Sequence, residues 1–243
     1  MSRLLSLIPG AVMVLFCVTV LQPGFTHTIL LANFFFILAM GSLFEVYKVY
    51  NPIGTLFNSG FFLGCASFIY KPYSIYIFVI VLGIIALRSF KLKEILQVVL
   101  GFLCPLFLIG VFMYYNNSLN EYLDYCKISF SIPKVDFSNY RDLIKPIITI
   151  IIIIFLIFKQ NALRKKKKFD AIKKVELNYW ILFFGFFTLF FVEAISPIHL
   201  LIISLPIALL SGLILENKEN SITKEFVFLG FIGFYFMFIF GII

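Results

Sequence analysis

The stretch IITIIIIIFLIF, residues 147–158, decides the class of fold that this chain of 243 residues adopts. Thr149 is its single polar residue, and no alternation of polar and apolar positions interrupts the run. A strand of a transmembrane barrel alternates between lipid-facing apolar and lumen-facing polar residues. A continuous apolar run instead suits a helix in hydrocarbon, where the backbone must satisfy its own hydrogen bonds. The stretch therefore predicts a membrane helix.

The whole chain repeats this character, with 62% hydrophobic and 13% charged residues. A soluble domain carries about 25% charged residues. The pattern predicts an all-α polytopic transmembrane bundle that forms a single integral membrane domain over 1–243. About nine segments are expected, at 4–22, 29–45, 55–70, 73–87, 95–115, 144–159, 180–195, 198–215 and 226–243.

The distribution of lysine and arginine predicts the orientation of these segments, because cytoplasmic loops collect positive charge. If the basic loop at about 160–179 is cytoplasmic and every segment crosses, 15 of the 20 cationic residues lie inside. The N-terminus is then inside and the C-terminus outside. The basic loop is either a plain topological determinant or a site for anionic lipid or an acidic partner. The outer loop at about 116–143 is aromatic, which predicts either interfacial helices or a cover over a groove.

The stretch GFFLGCASFIYKPY, residues 60–73, predicts a tight helical hairpin with a Lys-Pro pair at its tip. Gly60 and Gly64 form a GxxxG pattern that allows close helix packing. Pro72 is suited to begin the second helix, where its missing N–H costs nothing. Both arms are shorter than the roughly 20 residues of a normal span, so short tilted helices and a re-entrant hairpin both stay open.

Charged residues near the ends of spans are the first candidates for function, because burial in the bilayer is costly for them. Lys71, Glu193 and His199 all face outward in the predicted topology. With Arg141 and Lys145 they are expected to bind a lipid-linked phosphate, and Glu193 and His199 are the candidates for catalytic proton transfer. The alternative is that Lys71 snorkels to water, that Glu193 lies at the water boundary and that His199 begins a helix.

The remaining residue types indicate no further chemistry. The four cysteines form no CxxC pair and no Cys/His cluster, so neither a disulfide framework nor a metal site is expected. No cofactor motif is found, and no stretch is typical of nucleic-acid binding.

Residues 33–115 and the C-terminal HLLIISLPIALLSGLILENKENSITKEFVFLGFIGF resemble a family of polytopic membrane proteins from Bacteroidota, whose activity is not established. Relatives in it are longer at the N-terminus, which leaves a truncated start open. The resemblance implies the bacterial inner membrane as the location. The order GxxxG, Lys-Pro, apolar run, basic turn is also similar to polyprenyl-phosphate-dependent glycosyltransferases of the GT-C type. Those enzymes use an acidic residue in the first outer loop, whereas QPGFTHT, residues 22–28, has none.

Three functions stay open, in order of preference. The first is a non-catalytic subunit or scaffold of a bacterial cell-envelope membrane complex, whose partners are the bilayer and other membrane subunits. The second is a GT-C-like glycosyltransferase that uses a polyprenyl-phosphate sugar donor. The third is a small-solute transporter. An enzyme should hold a carboxylate within reach of a cationic phosphate site, and a transporter should show broken helices around a midplane site.

Overall fold

The computed structural model of the protein describes residues 8–20, 26–47, 49–88, 90–127, 140–164, 169–192, 197–215, 229–230 and 233, and the structural statements below concern these residues. They form helices, turns and short connections without a strand. The α-helices are α1 (Ile8–Val20), α2 (Thr26–Glu45), α3 (Ile53–Ile69), α4 (Tyr76–Leu87), α5 (Leu92–Tyr115), α6 (Leu119–Cys126), α7 (Tyr140–Arg164), α8 (Phe169–Phe187) and α9 (Ser204–Leu215). Three 3₁₀ segments add Lys71–Ile75, Thr188–Phe191 and Pro197–Ile203.

The all-helical prediction is confirmed for the described residues. Three helical stretches are long and apolar enough to cross a membrane, namely Thr28–Glu45, Leu92–Tyr115 and Ile172–Phe191. Shorter apolar helices occupy four further predicted segments. The predicted number of nine spans and their orientation stay predictions, and most of the last segment, 226–243, lies outside the described residues.

Both predicted loops contain helix, which was unexpected for the basic loop and was one of the two alternatives for the outer loop. The basic loop at 160–179 is partly helical, since α7 continues to Arg164 and α8 begins at Phe169. Lysine and arginine are good helix formers, which agrees with the inclusion of Arg164 in α7 and of Lys173 and Lys174 in α8. The outer loop at 116–143 holds all of α6 and the first residues of α7.

The described residues divide into two compact units. One, called here the hairpin unit, takes its residues from His27–Lys134 and Phe183–Glu193. The other, called the terminal unit, takes its residues from Met1–Thr26, Val135–Leu182 and Ala194–Ile243. The description of the chain as a single membrane domain stays a prediction.

Helices α3 and α5 pack backbone to backbone in the hairpin unit. A Cβ atom on Gly60 would lie 2.1 Å from the Val98 carbonyl oxygen, and one on Gly101 would lie 2.3 Å from the Phe57 carbonyl oxygen. Only glycine at these positions lets two helices approach so closely. The structure thus places the GxxxG pattern against α5, which adds a glycine of its own to the same interface.

A buried ion pair joins Arg88, at the C-terminal end of α4, to Glu94 in the first turn of α5. The Arg88 Nη1 atom donates a hydrogen bond of 3.2 Å to the Val46 carbonyl oxygen and another to that of Val49. Its Nε atom lies 3.5 Å from Glu94 Oε2, and both side chains are largely buried. The cation thereby satisfies carbonyl groups just beyond the C-terminus of α2, where helices leave them unpaired.

In the terminal unit, α9 packs against α1 and α7, and the 3₁₀ segment Pro197–Ile203 contacts the same two helices. A Cβ atom on Gly212 would lie 2.4 Å from Pro9 Cγ. This small residue therefore sets the closest approach of α9 to α1, as small residues do between membrane helices.

Candidate functional site

The turn between α3 and α4 is anchored by aromatic side chains. Tyr73 and Tyr76 are fully buried, and their ring centroids lie 5.1 and 4.5 Å from that of Phe36 in α2. The Tyr73 hydroxyl donates a hydrogen bond of 3.2 Å to Asn33 Oδ1. The prediction that Pro72 directly begins an α-helix is refined, because a 3₁₀ turn comes first. A 3₁₀ turn places residues three apart on one face, which lets both tyrosines reach Phe36.

Helix α6 is held against the hairpin by two tyrosine hydroxyls. Asn117, with a φ of 57°, turns the chain back after α5. The Tyr122 hydroxyl then donates 2.8 Å to the Leu106 carbonyl oxygen, and the Tyr125 hydroxyl donates 2.6 Å to that of Phe68. The Phe68 carbonyl lies in the last turn of α3, where backbone acceptors have no intrahelical partner. The α6 tyrosines therefore bind backbone carbonyl groups of α5 and α3, and the one at Phe68 is a helix-end acceptor.

The Lys71 side chain lies beneath this helix. Its Nζ atom is 4.3 Å from the centroid of the Tyr125 ring and 3.5 Å from the Lys127 carbonyl oxygen. A lysine ammonium over the face of an aromatic ring is attracted by the ring quadrupole. Lys71 is therefore directed toward α6 by contacts within the protein, and it is only partly exposed.

These elements enclose a cavity of about 190 Å³, called here the Lys71 pocket. It is lined by Ser67, Phe68, Lys71, Ser74, Phe102, Leu106, Tyr125, Cys126 and Phe191. Among the lining residues that the structure describes, none is a carboxylate. The nearby Asp124 carboxylate instead pairs with the Lys127 ammonium at 2.6 Å, and both groups are exposed. The described part of the pocket thus offers the Lys71 cation, hydroxyl groups and apolar walls, a set suited to an anionic group attached to an apolar body.

The tyrosines of α6 remain protonated donors at neutral pH. Burial raises the pKa of Tyr122 to about 12, with a further contribution from the hydrogen bond and the charge of Cys126. Burial, and then the charge of Cys126, raises the pKa of Tyr125 as well. The hydrogen bonds that hold α6 in place are therefore kept throughout the physiological range.

The other predicted site residues are only partly described. Glu193 lies outside the described residues, and Arg141 and Lys145 lie in α7 without described side chains. His199 lies in Pro197–Ile203, in the terminal unit, whereas Lys71 belongs to the hairpin unit. The predicted cluster of these five residues therefore stays a prediction. The contact that the structure shows for the Lys71 ammonium is with the Tyr125 ring.

Sequence reasoning missed three members of the site. Ser74 and Phe191 carry no signal in the sequence, because an isolated serine or phenylalanine in an apolar run is ordinary. Asn33 is a stronger clue, since a polar amide within an apolar helix needs a buried partner. Tyr125 was expected in an amphipathic outer segment, but its contact with Lys71 was not.

Within the described residues, no group of three or more His, Cys, Asp or Glu side chains is placed to hold a metal ion.

Comparison with known proteins adds no further assignment. No protein-family model, curated protein or solved structure matches the chain.

Proposed function

We propose that this protein is a non-catalytic, multi-pass subunit of a cell-envelope membrane complex in the bacterial inner membrane, and that it holds an anionic lipid at the Lys71 pocket. The observation that carries the proposal is the composition of that pocket. Its described lining pairs the Lys71 ammonium with aromatic and aliphatic walls and includes no carboxylate. Such a set is suited to hold a phosphate or carboxylate headgroup through the Lys71 ammonium.

The role as a subunit is supported by the outer surface of α5. Only 17% of the residues in the apolar span of α5 are buried by the described part of the chain. Large apolar side chains remain exposed along its whole length, among them Leu92, Leu96, Leu100, Leu103, Phe107, Val111 and Tyr114. This surface suits contact with lipid and with the helices of another membrane subunit.

A GT-C-like transferase is the second candidate, and the same ammonium group favours it. A polyprenyl phosphate would place its phosphate beside Lys71 in the same way as another anionic lipid. Catalysis would further need a carboxylate close to that phosphate. Glu193 follows the pocket residue Phe191 by two positions in the sequence, and it is the acidic residue to test for that role.

Lipid retention tests the proposal directly. We expect wild-type protein purified in mild detergent to retain about one phosphate-bearing lipid per chain, measured by native mass spectrometry and phosphorus analysis. Loss of one charge-assisted hydrogen bond in Lys71→Gln should weaken retention about tenfold or more. Lys71→Arg keeps the charge and should retain the lipid. Identification of the lipid as a polyprenyl phosphate would favour the transferase, whereas a stable protein partner would favour the subunit.

The matched control is Lys127→Gln, which removes the same charge from a side chain that is 77% exposed beside the same pocket. This variant should retain the lipid as wild type does. Equal retention by Lys71→Gln and wild type would contradict a headgroup site at Lys71. Equal loss of the lipid from both variants would mean that general surface charge retains it and that Lys71 forms no specific site.

A further inference from the structure

A second cavity adjoins the Lys71 pocket. It is an apolar groove of about 520 Å³, called here the phenylalanine groove, and it is lined by Ile75, Phe78, Phe183, Phe184, Phe187, Phe190 and Phe191. Phe191 lines both the groove and the Lys71 pocket. The two cavities therefore meet at the Phe191 side chain, with the Lys71 ammonium lining one and only apolar side chains lining the other.

The walls of the groove come from two parts of the hairpin unit. Phe78 belongs to α4, and its ring stacks on that of Phe184 with centroids 6.2 Å apart. The Phe187 ring packs against Phe183 at 5.0 Å and against Phe190 at 6.2 Å. The side chains of Phe78, Phe183, Phe187 and Phe190 are nevertheless 41–58% exposed. The rings thus support one another while leaving an open apolar trough, as a binding groove requires.

We propose that the phenylalanine groove holds a hydrocarbon chain of the lipid whose anionic headgroup binds at the Lys71 pocket. This inference rests on the proposed function and extends it from a headgroup to the orientation of a whole amphiphile. The ligand class is a lipid with a phosphate or carboxylate headgroup and at least one long apolar chain. The order of the cavities matches the order of such a molecule, and the volume of the groove lies within the roughly 300–1,000 Å³ of small-molecule sites.

Two other occupants make different predictions. Bulk bilayer lipid would fill the groove without regard to its headgroup. A free phosphate ion would bind at Lys71 and leave the groove to bulk lipid. The proposed lipid differs from both of these occupants in one measurable way. A reporter in the groove should detect a preference for an anionic headgroup, and that preference should depend on Lys71.

The experiment uses tryptophan fluorescence and lipids with brominated chains, which quench tryptophan on contact. Trp180 is the single tryptophan of the chain, so Trp180→Phe provides a silent background. Phe187→Trp then reports from the groove, and Phe190→Trp is a second reporter should the first fail to fold. Phe112→Trp is the control, because Phe112 is 63% exposed on α5 and does not line the groove. Each protein is reconstituted with brominated phosphatidic acid or brominated phosphatidylcholine at equal mole fraction.

At position 187 we expect phosphatidic acid to be preferred about fivefold, the effect of one lysine on an anionic headgroup. The ratio of quenching by phosphatidic acid to quenching by phosphatidylcholine should fall to about one in Lys71→Gln. It should stay about fivefold in Lys127→Gln. At position 112 the two lipids should quench equally. Inorganic phosphate at the concentration of the brominated lipid should leave the preference unchanged, because it lacks the chain.

Three results would overturn the inference. They are equal quenching by both lipids at positions 187 and 190, a preference that survives Lys71→Gln, and full displacement of the lipid by inorganic phosphate. If lipid retention depends on Lys71 while the groove reporters show no preference, the headgroup site stands and the placement of the chain is wrong. If retention does not depend on Lys71, the proposed function itself fails.

Discussion

Replacing Gly64 by alanine should disrupt the interface of α3 with α5. A Cβ atom at this position would lie 2.4 Å from the Phe102 carbonyl oxygen and 2.5 Å from Pro105 Cγ. Optimal contacts between such atoms are about 3.5–4 Å, so the two helices must separate by about 1 Å. The carbonyl oxygen is part of the α5 backbone, and no side-chain rotation can move it away.

The magnitude follows from two opposing effects. Overpacking of a tight interface costs about 1–3 kcal/mol, whereas alanine in place of glycine favours a helix by about 1 kcal/mol. Separation by about 1 Å also weakens the dispersion contacts along the rest of the interface. We therefore expect Gly64→Ala to lower the free energy of unfolding by about 1–2 kcal/mol.

Reversible unfolding in mixed micelles, followed by circular dichroism, measures this change. The matched control is Gly54→Ala in the same helix, where a Cβ atom would meet nothing within 4 Å. Gly54→Ala should be neutral or slightly stabilising, because only the helix propensity changes. If Gly64→Ala unfolds at the same free energy as Gly54→Ala, then α3 and α5 do not touch in this register and the reasoning is refuted.

Three further predictions concern other parts of the hairpin unit. Arg88→Leu should lower the free energy of unfolding by about 3–5 kcal/mol, because the buried Glu94 carboxylate loses its cation. The double variant Arg88→Leu, Glu94→Leu should have a higher free energy of unfolding than Arg88→Leu alone. An equal or lower free energy for the double variant would contradict the ion pair. Neutral Tyr122 should stabilise docked α6 fully below about pH 10, and this stability should be lost as the pH rises through its raised pKa of about 12. A difference absorbance titration against Tyr122→Phe should therefore have its midpoint near 12 rather than near 10. Cys126 is exposed and should react with an impermeant maleimide from outside intact cells, with Cys126→Ser as the blank; protection of this thiol would reverse the predicted orientation.

The positions of the apolar helices were predictable because the bilayer leaves the backbone few alternatives. A segment in hydrocarbon must close its own hydrogen bonds, so an apolar run becomes a helix over nearly its whole length. The run predicted at 95–115 is α5, Leu92–Tyr115, and the run predicted at 55–70 is α3, Ile53–Ile69. The small differences arise at the ends, where polar residues continue a helix into the interface.

The contacts that build the pocket were not predictable in the same way. The Tyr73 hydroxyl meets an amide 40 residues away, and the Lys71 ammonium meets a carbonyl 56 residues away. Each partner is an ordinary residue in its own segment, so periodicity and composition do not pair them. GxxxG is the exception, since small residues at a fixed spacing predict close packing without naming the partner helix.

The sequence left two interpretations of Lys71, a snorkelling lysine and a headgroup ligand, and both stay predictions. A snorkelling lysine extends its stem along apolar surface so that its ammonium reaches water. In the structure the partly exposed Lys71 ammonium lies over the Tyr125 ring, and Tyr125 is itself fixed by its hydrogen bond to the Phe68 carbonyl oxygen. Partial desolvation of an ammonium is costly unless an anion or an aromatic face compensates it. A headgroup phosphate would add a charged partner to the aromatic contact, and this is the reason that we propose Lys71 as the cation of the lipid site.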